Sequence, residues 1–324
     1  MVRLHIVIPT YNRALKLASV LKSISRFAEQ HFISVFDNCS TDGTQSLCEG
    51  YANSNENIKY VRRCANIGGN GNILLAALHG LGEGDLLWIL PDDDEIDEIA
   101  LDQLAYFIAS LNCAKLPDAI VVGACSSRAQ NTNWPLSGPR DIKNGISEFW
   151  MHASFLPSLI LNSKNVKKGI TADLFYVGGC YSQMLLLRHL LYDNVNIVTA
   201  PSRVIYRGED DVMPASIAWW MISWLKATQY FPELYKNGMC KTLLGNFLTL
   251  PLRYTKALAF NPAEENSTMN VNYYDLISLF KGSRRYYVIM FWPAALIPAS
   301  LLRFVWRLYR GKNITAKTQS LART

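Results

Sequence analysis

Five short apolar runs punctuate the first 125 residues, and their spacing leaves few folds open. Leu4–Pro9, Ile33–Phe36, Ile58–Val61, Leu86–Leu90 and Ala119–Gly123 recur about 25 to 30 residues apart. Between them the apolar residues change period. Leu17, Val20, Leu21 and Ile24 stand at i, i+3, i+4 and i+7, and Leu74, Ala77, Leu78 and Leu81 repeat the pattern. Further helices are predicted from about Thr44 and over Ile96–Leu111. Strands joined by helical crossovers predict an α/β fold: a mainly parallel sheet covered by helices on both faces. In such sheets ligands bind beyond the carboxyl ends of the strands.

Polar clusters stand at those ends: Thr10–Arg13, Asp37–Asp42, Asn66–Asn70 and Asp92–Asp94. The last is the most demanding. Three adjacent carboxylates, Asp92, Asp93 and Asp94, repel one another and need a cation or a helix N-terminus beside them. A divalent metal suits them, because Mg²⁺ takes one or two carboxylates and completes its shell with water and phosphate. The bland alternative is that they cap the helix expected from Ile96.

The remainder is read more coarsely. From about Asn131 to Gly179 the pattern is irregular, and Phe149–Leu161 is apolar but weakly periodic. A helix over Ser182–Tyr192 and a strand over Val195–Ala200 follow, then Val204–Tyr206. Half of the chain is hydrophobic, enough for a sizeable core. The seven scattered cysteines show no Cys-x-x-Cys spacing, which supports neither a zinc site nor a disulfide framework and fits a reducing setting. The net charge of +6 is local. Beyond Asp275 there are nine basic residues and no acidic one, which leaves 23 basic against 26 acidic residues before it. Within that tail Tyr286–Leu302 is a run of 17 uncharged residues containing Pro293 and Pro298. As a helix it would reach about 25 Å, short of a hydrocarbon core of about 30 Å, so it fits a re-entrant or interfacial segment as well as a span. The flanking arginines suit anionic headgroups. Basic residues interleaved with a continuous apolar run argue against nucleic-acid binding. A buried C-terminal helix is the competing reading.

Taken together, Ile6–Arg13, Val35–Thr44, Asn66–Asn70 and Leu90–Ile96 resemble the motifs of glycosyltransferase family 2. That resemblance implies a GT-A fold and a nucleotide-sugar donor. The layout with a hydrophobic, basic C-terminus is similar to bacterial O-antigen and polysaccharide transferases, abequosyltransferases among them. It implies a catalytic domain over 1–212, with a nucleotide-sugar half (1–125) and an acceptor half (126–212). A helical extension over 213–280 and a membrane-associating tail over 281–324 would follow.

By the same resemblance Pro9, Thr10, Tyr11, Asn12 and Arg13 hold the nucleotide, and Asp37, beside Asn38, accepts a hydrogen bond from its base. The alternative for Asp37 is an Asx-turn with Asn38. Asp42 shapes the turn and the helix start. Asn66, Gly68 and Gly69 let the backbone approach the donor. Asp93 and Asp94 match the metal motif for Mn²⁺ or Mg²⁺, with Asp92 beside them on the donor or the metal. Pro91 departs from the motif by standing where the family's first aspartate falls. A second departure concerns the base of an inverting reaction. The family's Glu-Asp position falls near Ser182–Gln183, so Asp173 is the first candidate, with Glu209, Asp210 and Asp211 as alternatives. His152 and His189 read as structural.

The expected protein is a metal-dependent, inverting glycosyltransferase acting on a lipid-linked glycan acceptor at the cytoplasmic face of the inner membrane, peripheral or shallowly inserted. A sugar nucleotidylyltransferase and a non-catalytic scaffold are the alternatives. The first is disfavoured because Pro9–Asn12 contains no glycine.

Overall fold

The computed structural model of the chain describes residues 1–123, 155–169, 186–187, 190, 195–206 and 208. All lie in the unit Met1–Asp211. Strands β1 (Leu4–Thr10), β2 (Phe32–Asp37), β3 (Ile58–Arg62) and β4 (Leu86–Ile89) alternate with helices α1 (Ala14–Ile24), α2 (Thr44–Ser54) and α3 (Gly69–Gly80). Then come β5 (Glu95–Ile96), α4 (Glu98–Ser110), β6 (Ala119–Val121), β7 (Leu159–Asn162), α5 (Ser163–Gly169), β8 (Ile197–Thr199) and β9 (Ile205–Tyr206). Seven strands form one sheet in the order β3-β2-β1-β4-β7-β6-β8. Strand β7 runs antiparallel to both neighbours, and the other pairs are parallel.

The core follows from the two periods. Leu4, Ile6 and Ile8 of β1 share a fully buried cluster with Leu17, Leu21 and Ile24 of α1 and Leu101, Leu104 and Ile108 of α4. The opposite face of β1 meets α3 so closely that a Cβ on Gly80 would lie 2.6 Å from Leu87 and 2.7 Å from Val7. Helices therefore cover both faces, as the sequence predicts.

Two local expectations are corrected. Leu159–Asn162, read only as irregular apolar sequence, is a strand between β4 and β6. All four of its residues are buried, so no alternation marks it. Trp88 Nε1 of β4 donates to Pro157 O at 2.9 Å and ties the approach of β7 to the sheet. Helix α4 begins at Glu98 rather than Ile96, because Glu95 and Ile96 pair with Tyr206 and Ile205 in an antiparallel two-stranded sheet. The cap of α4 is Asp97, whose Oδ1 accepts from Ala100 N at 3.0 Å. Capping α4 is thus not the duty of Asp92–Asp94.

The helix expected over Ser182–Tyr192 lies mostly outside the described residues. So do the extension over 213–280 and the tail over 281–324. Among the described residues no helix is long and apolar enough to cross a membrane.

Candidate active site

Parallel register brings the polar ends of β1 to β4 to one edge. Thr10 stands opposite Asp37, Asp37 opposite Arg62, and Leu90 N donates to Val7 O at 3.0 Å. The loops beyond are fastened to one another by side chains. Asn12, in the left-handed region at φ 52°, donates its backbone N–H to Ser40 Oγ at 2.8 Å. Its Oδ1 accepts from Thr41 N at 2.7 Å. Asp42 accepts from Thr44 N and Ala14 N, each at 3.0 Å, and so steadies the first turns of α2 and α1 together.

Asn38, buried, ties the next loop. Its Nδ2 donates to Asn66 Oδ1 at 2.7 Å and its Oδ1 accepts from Ile67 N at 2.9 Å. Asn66 Oδ1 also accepts from Gly68 N at 2.8 Å. Gly68 takes φ 80°, a conformation that favours glycine. Among the described residues, and apart from the chain neighbours, no atom lies within 4 Å of a Cβ placed on Gly68 or Gly69. Tyr11, in the loop after β1, is 43% exposed.

Asp37 is held within its own turn and against β3. It is fully buried, its Oδ1 accepts from Ser40 N at 2.8 Å and its Oδ2 accepts from Tyr60 OH at 2.7 Å. Arg62 Nε stands 3.7 Å from the same Oδ2 and its Nη2 donates to Ser40 O at 2.7 Å. Burial and the bond to Asp37 push the Tyr60 phenol up. Sequence reasoning passed over Tyr60 and Arg62. Their place at the end of β3, opposite the β2 cluster, was the signal.

The acidic turn after β4 is held from two sides. Asp92 is buried: its Oδ2 accepts from Thr10 Oγ1 at 2.6 Å and its Oδ1 from Arg13 Nη1 at 3.0 Å. The same Nη1 donates to Asp93 Oδ2 at 2.6 Å. Burial raises the Asp92 carboxyl above its ordinary value, Thr10 and Arg13 oppose this, and Asp93 adds to it. Burial pulls the Arg13 guanidinium down, but Asp92 and Asp93 outweigh it and hold it above its ordinary value. Asp94 Oδ1 accepts from Gly208 N at 3.1 Å. A Cβ on Gly208 would lie 1.9 Å from Asp93 O, so only glycine lets the chain after β9 lie against this turn. Gly208 was another residue the sequence did not single out. Arg13, expected on the nucleotide, is found on the carboxylates.

These residues fit a divalent ion in one respect. Asp92 and Asp93 converge on a single cationic nitrogen, and two carboxylates suffice for Mg²⁺. Among the described residues no three His, Cys, Asp or Glu side chains form a metal cluster. Water and phosphate would have to complete the shell. The candidate bases Asp173, Glu209, Asp210 and Asp211, with His152 and His189, lie outside the described residues.

Comparison with known proteins agrees with this arrangement. Residues 5–151 match the model of glycosyl transferase family 2. Abequosyltransferase RfbV of Salmonella typhimurium is 36% identical over 107 residues, covering 32% of this chain and 32% of that protein. Poly(ribitol-phosphate) beta-N-acetylglucosaminyltransferase TarS of Staphylococcus aureus is 32% identical over 111 residues, 33% of this chain and 19% of that one. The match thus spans a third or less of the length of these relatives. In fold, the crystal structure of S. aureus TarS superposes with TM-score 0.57 at 17% identity, over 76% of this chain and 44% of that one. A mannosyltransferase from Pyrobaculum calidifontis in complex with GDP-Man and Mn²⁺ gives 0.50 at 16% identity, over 94% and 88%. Residues 5–151 therefore match glycosyltransferase family 2, and the chain carries a GT-A-type fold.

Proposed function

We propose that this protein is a metal-dependent, inverting glycosyltransferase that moves a sugar from a nucleotide-sugar donor to a lipid-linked glycan in cell-surface polysaccharide synthesis. The observation that carries the reading is the joining of four polar strand ends into one edge, with the acidic turn of β4 fastened to the loop after β1 through Thr10 and Arg13. Among the described residues nothing crowds Gly68 or Gly69, and the ring of Tyr11 is exposed, which supports room for a base and ribose along this edge. Asp93 and Asp94, with Asp92 behind them, would hold the ion. When bound, it neutralises charge developing on the leaving diphosphate. This chain's own part is to position. Asn12, Ser40 and Asn38 fix the loops that frame the donor, and Thr10 orients the Asp92 carboxylate. Pre-set loops reduce what the donor must order on binding. Likeness to an abequosyltransferase and to a poly(ribitol-phosphate) beta-N-acetylglucosaminyltransferase supports a glycan acceptor.

The test is a panel of nucleotide sugars, each with Mn²⁺, Mg²⁺ or chelator, on detergent-purified protein. Binding and slow hydrolysis of one donor, lost with chelator, are expected. Silence across the panel refutes the reading. The uncharged run 286–302 and its flanking arginines support attachment to the cytoplasmic face of the membrane. Partition with vesicles is expected to drop in a chain truncated before Gly282, and undiminished binding would remove that role.

A further inference from the structure

The acidic turn already holds a cation, and it comes from the chain itself. Arg13 Nη1 sits 3.0 Å from Asp92 Oδ1 and 2.6 Å from Asp93 Oδ2, at the point on which the two carboxylates converge. Asp92 cannot follow the guanidinium if it leaves, because it is buried and anchored by Thr10. Arg13 is different. Its side chain is 36% exposed, and among the described residues Nε and Nη2 make no hydrogen bond. One edge of the planar fork is therefore spent on carboxylates while the rest remains on offer. Such a fork matches a diphosphate as well as it matches carboxylates.

From this geometry we infer that Arg13 is an exchangeable counter-ion which couples metal binding to donor binding. The inference rests on the metal-dependent reading above. With no donor, Arg13 neutralises part of the charge of the three aspartates and opposes a second cation at the same point. When a nucleoside diphosphate arrives, its phosphates compete for the guanidinium. Asp92 and Asp93 are then left with unbalanced charge beside the incoming phosphate oxygens, and a divalent ion becomes the favoured bridge. Metal and nucleotide then bind weakly apart and tightly together, and the coupling is reciprocal. Arg13 acts here as a positioning residue rather than a reacting one.

Free Mn²⁺, read by its electron paramagnetic resonance signal, measures the coupling without catalysis. Titrations of the full chain with Mn²⁺ alone, and with UDP, GDP or CDP present, give two affinities for each protein. In the wild type, at least one nucleotide is expected to tighten Mn²⁺ binding by roughly tenfold, within the usual range of coupling between sites. Arg13→Gln removes the charge and should bind Mn²⁺ alone about tenfold more tightly, with little further gain from nucleotide. Arg13→Lys keeps the charge and should resemble the wild type with Mn²⁺ alone. Circular dichroism checks that both variants fold. If the wild type binds Mn²⁺ in no arm, the metal-dependent reading fails and this inference falls with it. If the wild type binds Mn²⁺ but no nucleotide tightens it, or if Arg13→Gln binds Mn²⁺ alone no better, only the role of Arg13 is overturned. The wild-type comparison decides even if Arg13→Gln does not fold.

Discussion

The two ends of the seven-stranded sheet both bury polar side chains, and they treat charge in opposite ways. At the entry end His5 of β1 is fully buried, and its Nε2 shares a 2.8 Å hydrogen bond with the Ser34 hydroxyl of β2. Burial drives its pKa from 6.5 to about 4, against the pull of Glu83, so the ring is neutral near pH 7. The charges nearby satisfy one another at the rim: Lys59 Nζ donates to Glu83 Oε1 at 2.8 Å, and that bond holds the Glu83 carboxyl below its usual value. At the exit end, Asp92 is nearly as buried, yet it faces a guanidinium and stands beside two more carboxylates. A buried neutral histidine fits a scaffold. A buried carboxylate with acidic neighbours costs stability, and a bound cation offsets that cost.

The difference predicts separate effects on activity and on stability. The largest is expected from Asp93→Asn. It should lower donor turnover by about 10² to 10³-fold, as losing a group that stabilises transition-state charge does. The melting temperature should move little, because this carboxylate is partly exposed and its pair with Arg13 is near the surface. A parallel loss of both would erase the distinction between the two ends.

Next in size is the pH response of the entry end. The unfolded state takes up the His5 proton near 6.5 and the folded state only near 4. Stability is therefore fully present above pH 6.5 and is lost as pH falls through that window, by up to about 3 kcal/mol. In denaturant titrations at pH 7.5 and 4.5, His5→Gln should remove most of that difference. An unchanged pH dependence would mean that other groups carry it. Gly208→Ala comes third, with about 1 to 3 kcal/mol of destabilisation expected, because its Cβ meets the backbone oxygen of Asp93 rather than a flexible side chain. Donor affinity should fall with it, as measured by calorimetry.

The smallest effect is also the most diagnostic. Asp92→Asn keeps an acceptor for Thr10 and removes a buried charge, so scanning calorimetry at pH 7 should show no loss of stability. The sign follows from its pKa, which burial raises above the ordinary 3.8. A raised carboxyl contributes stability below 3.8 and loses it as pH climbs through the folded value. A clear drop in melting temperature would show that Asp92 is structural, like His5.

Much of this was legible in one dimension. Helix α1 buries Leu17, Val20, Leu21 and Ile24, the stripe read from their spacing. Strands β1 to β4 lie where the apolar runs stand, and the four polar clusters share one edge. Strand β7 escaped notice because burial on both faces leaves no alternation, and β5 and β9 are two residues each, too short for a period. At Asp37 the sequence offered a turn but not its partners: Ser40 N lies three residues on, while Tyr60 OH comes from the neighbouring strand.

What the sequence determined by itself is the alternation of elements and the chemistry at the strand ends, because period and residue type are local properties. The pairing of charges was decided by the tertiary structure. Arg13 reaches Asp92 across 79 residues and Gly208 reaches Asp94 across 114, since the sheet order sets β1 beside β4 and β9 beside β5. An acidic triplet in sequence states only that a cation is needed. Which cation answers depends on the loop that the sheet brings alongside.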